Sequence, residues 1–547
     1  MNMRVYKPLY FLAVAFVGFA SCKSTATLPV PLAENNSIAI VAKKSALTKE
    51  QAQTWGHLDL ATDTIPGMSV NKAYDFLKGK KGQTVVVGVV DSGTDLLHED
   101  LVDVAWVNPK EVAGNGLDDD KNGFVDDVNG WNFLGAIYKE NAESERILKD
   151  PSLVDEATYK AIKAAHDNKV GTANTTNARL KQMLQGVTYA DNTIAAHLKK
   201  KTYTKDEVLA IKTQDPALSQ SIAIAKQMYG FGLNTLGQAI KELSKLVEDN
   251  DALLSGSNLK TNYRSVLGDD PNTMDVLVYG NNKTGPSIKD EAHGTHVSGI
   301  IAATRNNGKG INGVANMAKI MAVRTVPDGD EYDKDVALAI RYAVDNGAKV
   351  INMSFGKGYS PKKEWVWDAI KYAAEKDVLI VNAAGNDGDD IDVVKTFPND
   401  SKDLQTEISD NVITIGAMGA TYDENLAASF SNYGKKNVDI FAPGVQIYST
   451  TPENEYQFFD GTSMAAPSTA GVAALIRSYY PKLTASQVKH IIMNSGTKID
   501  LEVIRPGSVS QQNPNGVKVP FSELSVTGRV VNAYNALKMA DRMVNGK

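Results

Sequence analysis

Three short segments carry side chains that could together transfer an acyl group. V-V-D-S-G-T-D puts Asp91 at the C-terminal end of an apolar run, H-G-T-H-V-S-G opens a helix-like stretch on His293, and G-T-S-M-A-A-P sets Ser463 ahead of the helix-forming A-A-P-S-T-A-G-V-A-A-L-I. Serine is a weak nucleophile until a base takes its proton, and an imidazole base needs a carboxylate to fix its tautomer and stabilise its cation. Small residues around Ser463 let a substrate approach the hydroxyl, and a helix N-terminus favours negative charge developing beside it. Each segment alone has a plainer reading: Asp91 as a turn residue, Ser463 as a helix cap, and His293 with His296 as a zinc pair. The zinc reading lacks both H-E-x-x-H and a nearby carboxylate in a metalloprotease pattern. Read jointly, the three residue types are the acid, base and nucleophile of acyl transfer.

These signatures, in the order Asp, His, Ser, closely resemble those of the subtilisin-like (subtilase) serine peptidases. The resemblance covers roughly residues 80–134 and 286–540. It implies that Asp91, His293 and Ser463 form the catalytic triad. It also implies that Asn386, which ends V-N-A-A-G-N, donates its side-chain amide to the tetrahedral intermediate beside the backbone N–H of Ser463. I-N-M-S-F-G resembles the family strand that pairs with substrate backbone, through Ser354, Phe355 and Gly356, and Ala383, Ala384 and Gly385 would form one wall of the primary specificity pocket. Main-chain pairing of this kind demands an extended peptide. Phe355 stands where the family often has Leu, which reshapes the neighbouring pocket. The expected function is therefore a secreted serine endopeptidase hydrolysing polypeptides through an acyl-enzyme on Ser463. A peptide ligase would have to exclude water, and nothing signals that; an inactive surface scaffold is disfavoured because every catalytic position is filled.

The elements that must position these residues can be read from periodicity. Thr84–Val90 is a continuous apolar run rich in β-branched residues, and similar runs recur at Lys319–Val323, Val350–Met353, Val378–Asn382 and Val412–Ile415. Such runs suggest strands buried on both faces of a parallel sheet. Helical patterns at Val336–Asn346 and Glu364–Glu375 lie between them. The expected class is α/β, a three-layer subtilisin-like fold with a mostly parallel central sheet. Residues 135–285 break that rhythm with helical segments such as Thr235–Glu248. They are expected to form a mostly helical insertion: a lid over the cleft, a partner-docking surface, or a surface elaboration without catalytic role. The resulting organisation is a signal peptide at 1–21, a tether at 22–60, catalytic parts at 61–134 and 286–547, and the insertion at 135–285.

The chain has 547 residues, 43% hydrophobic and 22% charged, which excludes disorder as its main state. A net charge of −6 argues against a nucleic-acid partner. Arg4, Lys7 and the apolar run Pro8–Ala20, too short for a comfortable membrane span, read as a secretory signal. Phe19-Ala20-Ser21-Cys22 resembles a lipoprotein lipobox, so Cys22 is the expected lipidation site and a membrane anchor. Lys23 is not the aspartate associated with inner-membrane retention, which leaves an outer-membrane lipoprotein facing the periplasm or the outside. Cys22 is the only cysteine, so disulfides cannot stabilise the fold. About 60 residues between Cys22 and the first core strand leave no room for a full prodomain.

Calcium is the expected structural ion, on two grounds. Asn115–Asp127 has oxygen ligands at alternating positions: Asp118, Asp120, Asn122, the Phe124 carbonyl and Asp126 follow the start of an EF-hand-type loop, with Asn129 where glutamate is usual. A solvated acidic turn is the other reading. The second ground is resemblance: His98-Glu99-Asp100-Leu101 and the loop Arg305–Ile311 match a common subtilase calcium site, in which Asp100 and Asn307 would give side-chain oxygens.

Overall fold

The computed structural model of the chain describes residues 43, 45–231 and 233–546. The signal segment, the lipobox and Cys22 lie outside the described residues. Among those described, no helix is long and apolar enough to cross a membrane.

Seven strands form the core of the domain, with helices between β3 and β4 and between β4 and β5: β1 (Val85–Asp91), β2 (Gly130–Asn132), β3 (Ala318–Arg324), β4 (Val350–Met353), β5 (Leu379–Ala383), β6 (Val412–Met418) and β7 (Ile440–Pro443). Two antiparallel ribbons follow, β8 (Ile447–Thr451) with β9 (Glu455–Phe459), and β11 (Glu502–Ile504) with β12 (Lys518–Pro520). Short β10 (Thr497–Lys498) and β13 (Arg529–Val530) complete a nine-stranded sheet in the order β10-β13-β7-β6-β5-β4-β1-β3-β2, in which only the β10–β13 pairing is antiparallel. The expected α/β class with a mostly parallel sheet is what the chain forms.

Alternation along the strands assigns side chains to the two faces. Val85, Val87 and Val89 join one apolar core, with helices His293–Ala302, Thr462–Tyr479, Ala485–Ser495 and Ala533–Asn545. Val90, with Met321 and Val323 of β3, joins the other, under helices Asp333–Asp345 and Lys363–Glu375. Gly88 shares that second face, where a Cβ would stand 3.0 Å from Cβ of Ala343. Helix Thr462–Tyr479 is buried nearly throughout, which explains its run of small residues: at Gly471 a Cβ would come within 2.5 Å of Val314.

Strand order reverses at β1. The chain leaves β1 for β2 and β3 on one side, then crosses to β4 on the other. In open α/β sheets ligands sit at such a point, outside the carboxyl ends of the strands. Asp91 ends β1, Ser354 follows β4, and Asn386 comes three residues after β5.

Between β2 and helix His293–Ala302 lie helices Glu143–Lys149, Glu156–Leu198, Lys205–Leu209, Pro216–Gly230 and Leu236–Ser255. The longer ones close on a third apolar core of their own, which includes Val187, Ile194, Ile222, Met228 and Leu236.

Candidate active site

Asp91 and His293 are 202 positions apart in the chain and paired in space. Nδ1 of His293 lies 2.7 Å from Oδ1 of Asp91, which also accepts from the Ser92 amide at 2.7 Å. The Asp91 side chain is 1% exposed and the His293 ring 37%, so the carboxylate is shut from water while the imidazole stays open. Burial opposes protonation of His293, but the charge of Asp91 and its hydrogen bond outweigh it and hold the imidazole pKa above the ordinary value.

Glu291 fixes the approach of this pair. One carboxylate oxygen accepts from the Gly93 amide at 2.8 Å and from Nε of Arg324 at 2.6 Å; the other accepts from the Ser287 amide at 2.5 Å. The residue two places before His293 is thereby tied to the turn two places after Asp91. The second histidine of the motif is structural: His296 is buried, stacks on Phe459 of β9 at 4.2 Å, and has its pKa pushed down to about 3 by burial.

Ser463 is the second residue of helix Thr462–Tyr479, and the helix that His293 opens packs against it. Pro467 sits four residues on and has no N–H, so the Ser463 carbonyl lacks its usual helical donor. That carbonyl accepts instead from Oγ of Ser354 at 2.9 Å, while Oγ of Ser463 donates to the Ser354 carbonyl at 3.1 Å. Nδ2 of Asn352 donates to Oγ of Ser354 at 2.9 Å. The proline inside the helix thus couples Ser463 to the segment after β4.

Asn386 is oriented by its oxygen. Oδ1 accepts from both the amide and the hydroxyl of Thr462, each at 2.9 Å, which leaves Nδ2 as the free end. A Cβ built on Gly461 would lie 3.6 Å from that Nδ2, 3.5 Å from the amide nitrogen of Ser463 and 3.6 Å from its Cβ. Two N–H donors and the serine therefore border one small space. The turn before Asn386 is held by Asn432, fully buried, whose amide donates to the Ala384 carbonyl at 3.0 Å and accepts from the Asp387 and Asp389 amides at 3.0 and 2.9 Å. Gly385 has φ +105, and a Cβ there would strike the Asn432 amide at 2.3 Å.

A cleft of about 510 Å³ opens beside these groups. Its lining includes Phe355, Gly356, Ala383, Ala384, Gly385, Asn386 and Ser463, together with Asp330, Lys357 and Phe397. Sequence reasoning singled out neither Asn432, Glu291 nor Lys357: none lies in a motif, and only the fold brings them to the site.

The acidic loop holds one carboxylate cluster. Ligand atoms of Glu111, Asp118 and Asp120 all lie within 4.8 Å of one another. Oε2 of Glu111 is buried and has no hydrogen-bond partner, which leaves a lone pair for a cation. Asp126 turns elsewhere and accepts from the Gly114 and Gly116 amides at 2.9 and 2.7 Å. Oδ1 of Asn122 accepts from the Phe124 amide at 2.7 Å, and the Phe124 ring packs edge-on against Trp131 and Tyr342. Asp100 and Asn307 also meet: Nδ2 of Asn307 donates to Oδ1 of Asp100 at 2.5 Å. Oδ2 of Asp100 accepts from the Ile311 amide and the Tyr456 hydroxyl, each at 3.0 Å, so protein donors already engage both oxygens.

Comparison with known proteins agrees with this geometry. A model of the subtilase family, Peptidase S8, matches residues 82–516. The chain is 38% identical over 222 residues to the cell wall-associated protease of Bacillus subtilis (strain 168), a match covering 40% of this chain and 23% of that protein. It is 44% identical over 187 residues to the thermophilic serine proteinase of Bacillus sp. (strain AK1), covering 34% and 42%. It is 37% identical over 215 residues to subtilisin DY of Bacillus licheniformis, covering 38% and 71%. The chain thus spans less than half the length of the first two relatives.

Proposed function

The chain belongs to the subtilase family, and on that premise we propose that it is an exported serine endopeptidase that cleaves polypeptides through an acyl-enzyme on Ser463. The observation that carries this reading is the space bordered at once by the serine, the Asn386 amide and the Ser463 N–H. Because Nδ1 of His293 faces Asp91, its Nε2 is the basic nitrogen. His293 takes the Ser463 proton as Oγ attacks the scissile carbonyl, and Asp91 stabilises the imidazolium that forms. Asn386 and the Ser463 N–H receive the oxyanion; a side-chain donor of this kind is worth about 10²–10³ in kcat. His293 then hands its proton to the leaving amine, and water attacking the ester restores Ser463. An extended peptide lies along Ser354, Phe355 and Gly356, with one side chain against Ala383–Gly385. The family body is assigned to 61–134 and 286–547, interrupted by 135–285.

A fluorophosphonate probe tests the chemistry. The purified full chain is expected to be labelled and to cleave casein, and Ser463→Ala to do neither. Labelling retained in Ser463→Ala would refute the assignment. Only neutral imidazole can act as base, so the rate climbs as pH rises through the raised pKa of His293; its acid limb therefore lies above the ordinary imidazole range. The lipid anchor is read from the lipobox alone, and intact mass of the membrane-extracted, probe-labelled protein checks whether its mature N-terminus is an acylated Cys22.

Glu111, Asp118 and Asp120 are assigned to a calcium ion whose role is structural, since an exported fold with one cysteine gains from a ligand that binds only the folded state. At calcium about 100 times Kd, the stabilisation is about 2.7 kcal/mol. Raising calcium is expected to raise Tm, and Glu111→Gln to blunt that rise. An unchanged Tm across the titration would remove the site.

A further inference from the structure

Lys357 is the first residue after the segment proposed to pair with substrate, and it lines the cleft. Its side chain is nevertheless 2% exposed, and it points into a cluster of charges. Nζ donates to Oε2 of Glu143 at 2.6 Å, lies 2.9 Å from Oδ1 of Asp333, and donates to the Glu331 carbonyl at 2.7 Å. Its backbone is pinned from the other side: the Lys357 amide donates to the Phe397 carbonyl at 2.8 Å, and the Phe397 amide returns the bond at 2.9 Å. Phe397 lines the same cleft. A buried lysine must be paired, so the position of this residue is set by whatever carries its counter-charge.

The counter-charge is shared: Asp333 supplies part of it from within the family body, and Glu143 supplies part from outside. Glu143 opens the first helix of the inserted segment and is buried with Arg146 of the same helix, whose NH2 lies 2.7 Å from Oε2 of Glu143. NH1 of Arg146 donates to the Asp330 carbonyl at 2.8 Å, and NH2 to the Glu331 carbonyl at 3.0 Å. Asp330 completes the tie from the cleft side: its Oδ2 accepts from the Glu143 amide at 2.7 Å. One turn of the insertion thus ties two segments that contribute to the cleft, 330–331 through Arg146 and 354–357 through Glu143.

We infer that Glu143 is a positioning residue for substrate, acting through Lys357 to hold the Ser354–Gly356 segment in register. This inference rests on the proposed peptidase reading and adds a substrate-length dependence to it. Without Glu143, Lys357 keeps Asp333, the Glu331 carbonyl and its backbone pairing with Phe397 but loses one of its two carboxylate partners, so the segment that precedes it is held less firmly. Long peptides that cover Ser354–Gly356 lose binding. A single-residue acyl ester, reaching only the Ala383–Gly385 wall and Ser463, does not.

The test compares Glu143→Ala and Glu143→Gln in the full chain. Glu143→Ala is expected to raise KM about tenfold for a hexapeptide substrate, with the acyl-ester rate and the fluorophosphonate labelling rate unchanged. Glu143→Gln keeps an acceptor for Nζ and is expected to fall between wild type and Glu143→Ala. Lys357→Met, which removes the tie from the other end and leaves Glu143 paired with Arg146, should raise the hexapeptide KM as well. Equal losses on hexapeptide and ester, or an unchanged hexapeptide KM in both Glu143 variants, overturn the inference. A wild-type protein that the probe fails to label defeats the peptidase reading instead, so the two failures are distinct.

Discussion

The segment between β2 and the His293 helix contains two regions built on opposite physics. Its bundle holds itself together with apolar residues, Val187, Ile194, Leu218, Ile222 and Leu236 among them, in a core separate from the two that sandwich the sheet. Exposed ion pairs link it to the body, such as Lys241 with Asp290 at 3.1 Å and Lys245 with Asp328 at 3.9 Å, and such pairs contribute little. The root is the reverse. Arg264, 3% exposed, lies 2.8 Å from Asp269 and 2.7 Å from Asp335 of a body helix, and Lys334 of that helix, fully buried, lies 2.9 Å from Asp269. Together with Glu143 and Arg146 these residues form a charged seam into the family body. The contrast predicts that changes inside the bundle leave the cleft unaltered and that changes at the root do not.

Arg264→Met is the strongest way to break that contrast. It leaves the Asp335 carboxylate buried without its partner, and Asp269 with Lys334 alone. Breaking a buried pair from one side costs about 3–5 kcal/mol. Global unfolding monitored by denaturant should therefore shift by that amount, and activity should be lost in parallel with it. A shift below about 1 kcal/mol, the value of a surface pair, would mean that the root is no more integral than the bundle. The same seam makes removal of residues 140–280 an uninformative test of gating. That deletion strips Glu143, Arg146, Arg264 and Asp269, takes Asp269 from Lys334 and Arg264 from Asp335, and leaves Lys357 with Asp333 as its remaining carboxylate, so a loss of activity would follow from the body itself.

The division also explains what could be read in advance. Asp91, His293, Ser463 and Asn386, the residues proposed for the chemistry, stand in contiguous motifs, and such motifs can be read without the fold. The fully buried strands β4 and β5 are legible as short apolar runs, each interrupted by one asparagine, Asn352 and Asn382. Helices of the bundle were legible from their 3.6-residue stripes. The seam was not, because its partners are distant in the chain: Glu143 meets Lys357 across 214 positions and Arg264 meets Asp335 across 71. A buried lysine looks like a surface lysine until the fold supplies its neighbour. Glu111 was missed for a related reason. It precedes Asp118 by seven positions and has no place in the alternating ligand pattern, yet its carboxylate closes the cluster with Asp118 and Asp120. Asp126 fits the pattern, but its oxygens are used by the Gly114 and Gly116 amides.

The smallest effect on catalysis is expected from the bundle, and it sharpens the comparison. Leu236 begins helix Leu236–Ser255 and is fully buried within the separate core. Leu236→Ala removes apolar contacts and leaves a cavity, at a cost of about 2–5 kcal/mol. Because that core shares no buried residue with the two around the sheet, the loss should be borne by the bundle as a cooperative unit of its own. Hydrogen exchange should then quicken across the helices Glu156–Leu198, Pro216–Gly230 and Leu236–Ser255, and stay unchanged in β1, β4 and β5. The hexapeptide KM should stay at the wild-type value, since Glu143 and Lys357 keep their contact. If exchange instead quickens in β4 and KM rises with it, the bundle and the cleft are one cooperative structure, and the contrast between root and bundle fails.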